Sequence, residues 1–138
     1  MTANRQINIV IIDDGVNKND FNLSGNWAIG KDLEITDNLH IQTDNPESHG
    51  NICVKIIYKY LKKELIDDIC LHSITVLDAD MRGNIEQLAL AFELCLKFDV
   101  KVIHMSIGSS YYKDFPIIQK YVEALFERGV IKVVPCKA

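Results

Sequence analysis

The chain has 138 residues, 48% of them apolar and 25% charged, with a formal net charge of −4. That length suits one domain, 1–138, with a substantial buried core, and the acidic balance with scattered basic residues excludes nucleic acid as the main partner. No apolar run approaches a membrane span, and Met1 to Gln6 lacks the apolar stretch of a secretory signal, so a cytoplasmic setting with no membrane partner is expected.

Ile7 to Ile12 is rich in β-branched residues and predicts a strand buried on both faces. Asp13-Asp14-Gly15 closes it and puts carboxylates at its carboxyl end. Residues 16–48, rich in Asn, Asp and Gly, predict loops with one or two short strands, one of them around Leu33 to Thr36. From His49 the pattern becomes helical: Ile52, Ile56, Ile57, Tyr60 and Leu61 recur at helical spacing, and Ser48 is placed as the N-cap. Lys59, Lys62 and Lys63 form the densest basic cluster, which reads as a solvated helix face. Cys70 to Leu77 predicts a second buried strand. Asn84 to Phe98 predicts an amphipathic helix with Ile85, Leu88, Phe92 and Cys95 along one face. Val100 to Ser106 predicts a third strand. Asp114 opens another helix, with Pro116 in its first turn and Gly129 just past its end. Val130 to Val134 predicts a last strand.

Strands alternating with helices imply βαβ units, hence an α/β fold with a doubly wound parallel sheet and helices on both faces. Function in such sheets gathers at the carboxyl ends of strands, where Asp13, Asp78 and Ser106 fall. The four cysteines, Cys53, Cys70, Cys95 and Cys136, are widely spaced in apolar segments without a CxxC. They are expected to be buried reduced thiols, and their spacing gives little support to a zinc site completed by His49. Asp and Asn residues between 13 and 45 offer oxygen ligands for calcium but form no recognisable site, so no cofactor or metal is expected.

Three segments in order carry chemistry: Ile11-Ile12-Asp13-Asp14-Gly15, Ser48-His49-Gly50 and Val102-Ile103-His104-Met105-Ser106-Ile107-Gly108. Taken singly, Asp-Asp-Gly after a strand is a turn, and a histidine at a helix start is a cap neighbour. Taken in order, the three resemble the subtilisin-like serine peptidases. The resemblance runs from Ile7 to Val134 and implies a truncated subtilisin-like fold, the first half of that catalytic domain. It makes Asp13 and His49 the Asp and His of the triad. There the His takes the serine proton, while the Asp fixes the imidazole tautomer and stabilises the imidazolium. Gly50 permits close approach, as the glycine does in the family. Asn51-Ile52-Cys53 stands where the family has Thr-His-Val, and His104 stands where it has Asn. Family segments matching Met81-Arg82-Gly83 and Ser106-Ile107-Gly108 flank the substrate backbone and pair with it as strands. Those six residues are therefore the implied positions for a peptide or polypeptide substrate.

The family's nucleophile lies in a Gly-Thr-Ser-Met-Ala type segment, which these 138 residues do not contain, and its oxyanion Asn aligns with Ala138. None of Ser24, Ser48, Ser73, Ser106, Ser109 and Ser110 has a nucleophile's setting. Cys53 lies one turn from His49, but an apolar helix position leaves a thiol inert. Loss of one oxyanion donor costs ~10²–10³ in turnover. Loss of the serine costs more, because triad residues act as a unit. The chain alone is thus expected to be inactive, with an exposed edge and apolar surface that call for a complementary chain or self-association. Two other functions are weighed. One is a non-catalytic peptide-binding homologue. The other is a receiver-like signalling domain, with Asp13 and Asp14 holding Mg²⁺, Asp78 phosphorylated, and Ser106 and Lys132 completing the site. The long gap from Asp14 to Asp78, and the place of Lys132 inside the final strand, weigh against the receiver.

Overall fold

The β-branched run of residues 7–13 becomes β1 (Ile7–Asp13), an interior strand with a neighbour on each side. A computed structural model describes residues 6–17, 19–37, 48–78, 80–105 and 115–133. After β1 come β2 (Leu23–Ile29), β3 (Ile35–Asp37), α1 (His49–Tyr60), the single turn α2 (Lys63–Ile66) and β4 (Ile69–Thr75). Then follow α3 (Ile85–Cys95), β5 (Val100–Met105), α4 (Phe115–Glu127) and β6 (Ile131–Val133). The six strands lie in the order β3-β2-β4-β1-β5-β6. All pair in parallel except β3, which runs antiparallel to β2 at the edge.

β1 splits its side chains between two cores, as a strand period of two requires. Val10 and Ile12 join Ile29, Ile74, Leu88, Phe92, Ile103 and Leu125 under α3 and α4. Ile9 and Ile11 join Val16, Val54 and Leu71 under α1. Helices therefore cover both faces of a mostly parallel sheet, as the alternation of elements implied. The order also separates this fold from a receiver. There the sheet order is 2-1-3-4-5, with the first two strands adjacent; here β4 lies between β1 and β2.

Two expectations need correction. Residues 16–48 contain the seven-residue strand β2, not only short strands. Its sequence, Leu23-Ser24-Gly25-Asn26-Trp27-Ala28-Ile29, has poor strand propensity, but packing overrides it. A Cβ at Gly25 would lie 2.5 Å from the Trp27 ring and 2.8 Å from His72 Nδ1, so the glycine makes room for the aromatic packing. The Trp27 and His72 rings stack with centroids 6.0 Å apart. The second correction concerns α1. Its inward side is Gly50, Asn51 and Val54, while Ile52, Ile56 and Tyr60 are exposed by 42%, 53% and 77%. Among the described residues, no helix is long and apolar enough to cross a membrane.

Candidate functional site

The site forms where β1 ends and α1 begins. The Asp13 carbonyl accepts from Val76 N at 2.9 Å and Leu77 N at 3.3 Å, which extends the sheet past β4 and fixes the end of β1. The start of α1 is then fastened to that end and the loop after it through Ser48, Asp14 and Asn51. Ser48 Oγ donates to the Gly15 carbonyl at 2.9 Å and accepts from Asn51 N at 3.2 Å, so the expected N-cap also ties helix to loop. Asp14 accepts from His49 N at 3.0 Å and Gly50 N at 2.8 Å, placing a carboxylate on the electropositive helix end. Asn51 is buried, and its Oδ1 accepts from Asn17 N at 3.0 Å while its Nδ2 donates to Asp20 Oδ2 at 2.9 Å. Gly50 is needed because a Cβ there would sit 2.5 Å from the Gly15 carbonyl oxygen.

This docking brings Asp13 and His49 together. His49 Nδ1 lies 2.8 Å from Asp13 Oδ2. The Asp13 carboxylate is fully buried and its Oδ1 accepts from Asp14 N at 2.8 Å, which holds its plane. The imidazole is 46% exposed. With an Nδ1–H donated to the carboxylate, the lone pair resides on Nε2, which has no hydrogen-bond partner among the described residues. A buried carboxylate thus orients an accessible base.

Two further groups border the pair. Cys53 follows one helical turn after His49, and its Sγ is 3.7 Å from the same Nδ1. Ligating atoms of Asp13, His49 and Cys53 all fall within 4.8 Å of one another, the one such convergence among the described residues. The apolar sequence neighbours of Cys53 imply a buried thiol; it is half-buried, against the ring. The clue was its i, i+4 spacing from His49. The second group is His104, paired in register with Ile11 and so on the face of the sheet that carries Asp13. Burial lowers its pKa, opposed by the charge of Asp13 and reinforced by that of His49. Its Nδ1 is buried with no partner among the described residues.

Met81, Arg82 and Gly83 occupy a tight turn after β4. Asp78 N donates to the Arg82 carbonyl at 3.0 Å, and Met81 N to the Asp78 carbonyl at 2.9 Å. Asp78 Oδ1 accepts from Asp80 N at 2.9 Å and Arg82 N at 3.0 Å. The Arg82 N–H, then Lys31 at 3.1 Å, hold the Asp78 carboxyl below its usual range. Met81 has φ 61°, and a Cβ at Gly83 would meet the Val76 carbonyl at 2.5 Å. The Met81 carbonyl and both backbone groups of Gly83 are left without a hydrogen-bond partner among the described residues. Beside the turn is a cleft of about 430 Å³ between Ile29, Val76, Leu77 and Gln87, with Lys31 and Arg82 along it.

Ser106, Ile107 and Gly108 lie outside the described residues, as do Cys136 and Ala138. Asp14 and Asp78 are committed to a helix end and a turn, which leaves the receiver's acidic pocket unassembled. The expectation of uniformly buried thiols is also corrected. Cys95 is buried and its thiol is pushed up to about 12, whereas Cys53 and Cys70 are half-buried.

No protein-family model and no curated protein matches the sequence. Among solved structures, the chain is similar to a cold-adapted subtilisin-like serine proteinase at 15% identity and a TM-score of 0.59, over 93% of this chain and 45% of that one. It is similar to the prenylagaramide maturation protease PagA at 13% identity and a TM-score of 0.62, over 94% of this chain and 45% of that one. The chain therefore spans less than half the length of either structure. At such identities the likeness is one of fold, and that fold is subtilisin-like.

Proposed function

We propose that this chain supplies the Asp–His half of a serine-peptidase centre, with Asp13 orienting His49 as the general base that activates a serine outside these 138 residues. The observation that carries this reading is the 2.8 Å contact from a buried carboxylate to Nδ1 of an accessible imidazole. Donation of Nδ1–H to Asp13 holds Nε2 as the acceptor. As the serine oxygen attacks a peptide carbonyl, its proton passes to Nε2, and the buried carboxylate stabilises the imidazolium. That proton is then delivered to the leaving amine. The backbone groups of Met81 and Gly83 that are unpaired among the described residues support main-chain binding of a peptide at this turn. Arg82, in the same turn, lines the adjoining cleft. Because these residues lack the nucleophile, the chain alone is inactive.

A fluorophosphonate, which labels only activated serines, tests this on material isolated from the source cell. The expected result is one labelled polypeptide that contains this chain or is held by it, with labelling abolished by His49→Ala. No label in any such polypeptide, or label unaffected by His49→Ala, would overturn the proposal. The unpaired backbone groups of the 81–83 turn also favour a second reading, a peptide-binding homologue without turnover. That reading predicts peptide-induced shifts of the Met81 and Gly83 backbone signals in the unlabelled chain.

A further inference from the structure

We propose that Asp13, His49 and Cys53 form a site for a thiophilic divalent cation of the zinc type, and that occupancy switches His49 from hydrogen-bond acceptor to donor. The ligand set is one carboxylate, one imidazole and one thiol, a mixture that suits Zn²⁺. His49 and Cys53 are four residues apart on α1, so both project from the same side of the helix, and β1 supplies the third ligand from a separate rigid element. Two of the three separations are close to those a tetrahedral ion requires. Zinc bond lengths imply edges of about 3.3 Å for an N/O pair and about 3.6 Å for an N/S pair. The observed separations are 2.8 Å for Nδ1 to Oδ2 and 3.7 Å for Nδ1 to Sγ. Against Nδ1 the carboxylate needs to retreat by a few tenths of an ångström, and the third edge, Oδ2 to Sγ, lies within 4.8 Å and closes toward the ~3.6 Å of an O/S pair as the ion binds. Its other oxygen already accepts from Asp14 N, which orients it as an outer-shell donor would.

Binding has a chemical consequence at the far side of the ring. A neutral imidazole carries one N–H. With Nδ1 bonded to Asp13, the N–H is on Nδ1 and Nε2 is the base. With the cation on Nδ1, that proton moves to Nε2, and the thiol proton of Cys53 leaves to solvent. Nε2 then donates and cannot take a proton from a nucleophile. The site needs only Asp13, His49 and Cys53, and it stands whether or not the chain belongs to a peptidase. If it does, metal occupancy and general-base function exclude each other.

The test titrates the reduced, purified chain with Zn²⁺ and, separately, with Co²⁺, whose thiolate charge-transfer band reports a Co–S bond. The expected result is one equivalent bound, a thiolate band, and a change of the His49 ring from the Nδ1–H to the Nε2–H tautomer by nitrogen NMR. His49→Ala and Cys53→Ala should each weaken binding by more than the ~10–100-fold that loss of an outer-shell partner costs. Cys70→Ala should leave it unchanged, and circular dichroism verifies that each variant is folded. Absence of the thiolate band, or affinity undiminished in folded Cys53→Ala, would overturn the proposal. Fluorophosphonate labelling can fail while Zn²⁺ still binds here, so the two proposals fall separately. If both hold, Zn²⁺ suppresses labelling and Cys53→Ala restores it.

Discussion

Gly50→Ala sets two physical effects against each other. In an ordinary helix the change stabilises by about 1 kcal/mol, because alanine loses less conformational freedom. Here the added Cβ would lie 2.5 Å from the Gly15 carbonyl oxygen, 3.2 Å from its carbon and 3.4 Å from Asp13 Cβ. The first separation is about 0.9 Å short of ordinary contact, and the obstructing atoms are backbone, which has no alternative rotamer. Relief requires the start of α1 to back away from the end of β1. Overpacking of this kind costs about 1–3 kcal/mol, enough to cancel the helix gain and exceed it. The same movement stretches the 2.8 Å Nδ1 to Oδ2 contact and the 2.9 Å bond from Ser48 to Gly15. Nδ1–Oδ2 separations past about 3.5 Å no longer count as hydrogen bonds. Urea denaturation should give a net loss of about 1–2 kcal/mol, and the downfield Nδ1 proton of His49 should disappear. A variant as stable as the parent, with that proton retained, would refute the claim that docking of this helix creates the pair.

Asp14→Ala removes the acceptor of two helix N–H groups and should destabilise by about 1–2 kcal/mol, with Asp14→Asn recovering part of the loss in the same denaturation assay. The pH dependence follows from His72 and His104, whose pKa values burial lowers from 6.5. The unfolded chain binds protons as pH falls through about 6.5 while these folded rings stay neutral, so stability is full above that pH and declines below it. Denaturation midpoints should therefore be lower at pH 5.5 than at pH 7.5. His72→Phe should flatten that difference, and an unchanged slope would show that His72 plays no part.

The parts of the fold legible in the sequence are those whose pattern is local. Ile7 to Ile12 shows strand chemistry residue by residue. Ser48 and Asn84 cap their helices as short polar side chains do, and Asn84 forms a reciprocal capping box with Gln87. Strand β2 was not legible, because Gly25 makes sense only against the Trp27 ring stacked on His72, and the buried Asn26 only beside Ser73, and both His72 and Ser73 are brought from β4 by the fold. Asp13 and His49 stood out through their order and the glycine after the histidine, although neither motif is informative singly. Cys53 was misjudged for a related reason. Its apolar neighbours in sequence suggested an interior thiol, whereas helix rotation sets it against the His49 ring. Asp14 has a functional role only under the receiver reading, and its oxygens go instead to the helix end, which the turn at Gly15 makes reachable.

The outward face of α1 offers the sharpest distinction between a core residue and an interface residue. Successive helix residues are rotated by about 100°, so Ile52, Ile56 and Tyr60 lie within about 60° of the direction of His49. His49 and the apolar stripe therefore share one face, and a partner that covers the stripe lies beside His49. Ile56 is 53% exposed, and substitution at a site so open changes a domain's own stability by no more than about 0.5 kcal/mol. The proposed serine-bearing segment would bury that side chain, and a charge placed there would be trapped in an apolar contact. Ile56→Glu should accordingly leave urea denaturation of the chain alone unchanged while abolishing fluorophosphonate labelling of the source-cell material. Labelling that persists in Ile56→Glu would mean that the nucleophile approaches His49 from another side. A large loss of stability in the chain alone would mean that Ile56 already belongs to its core.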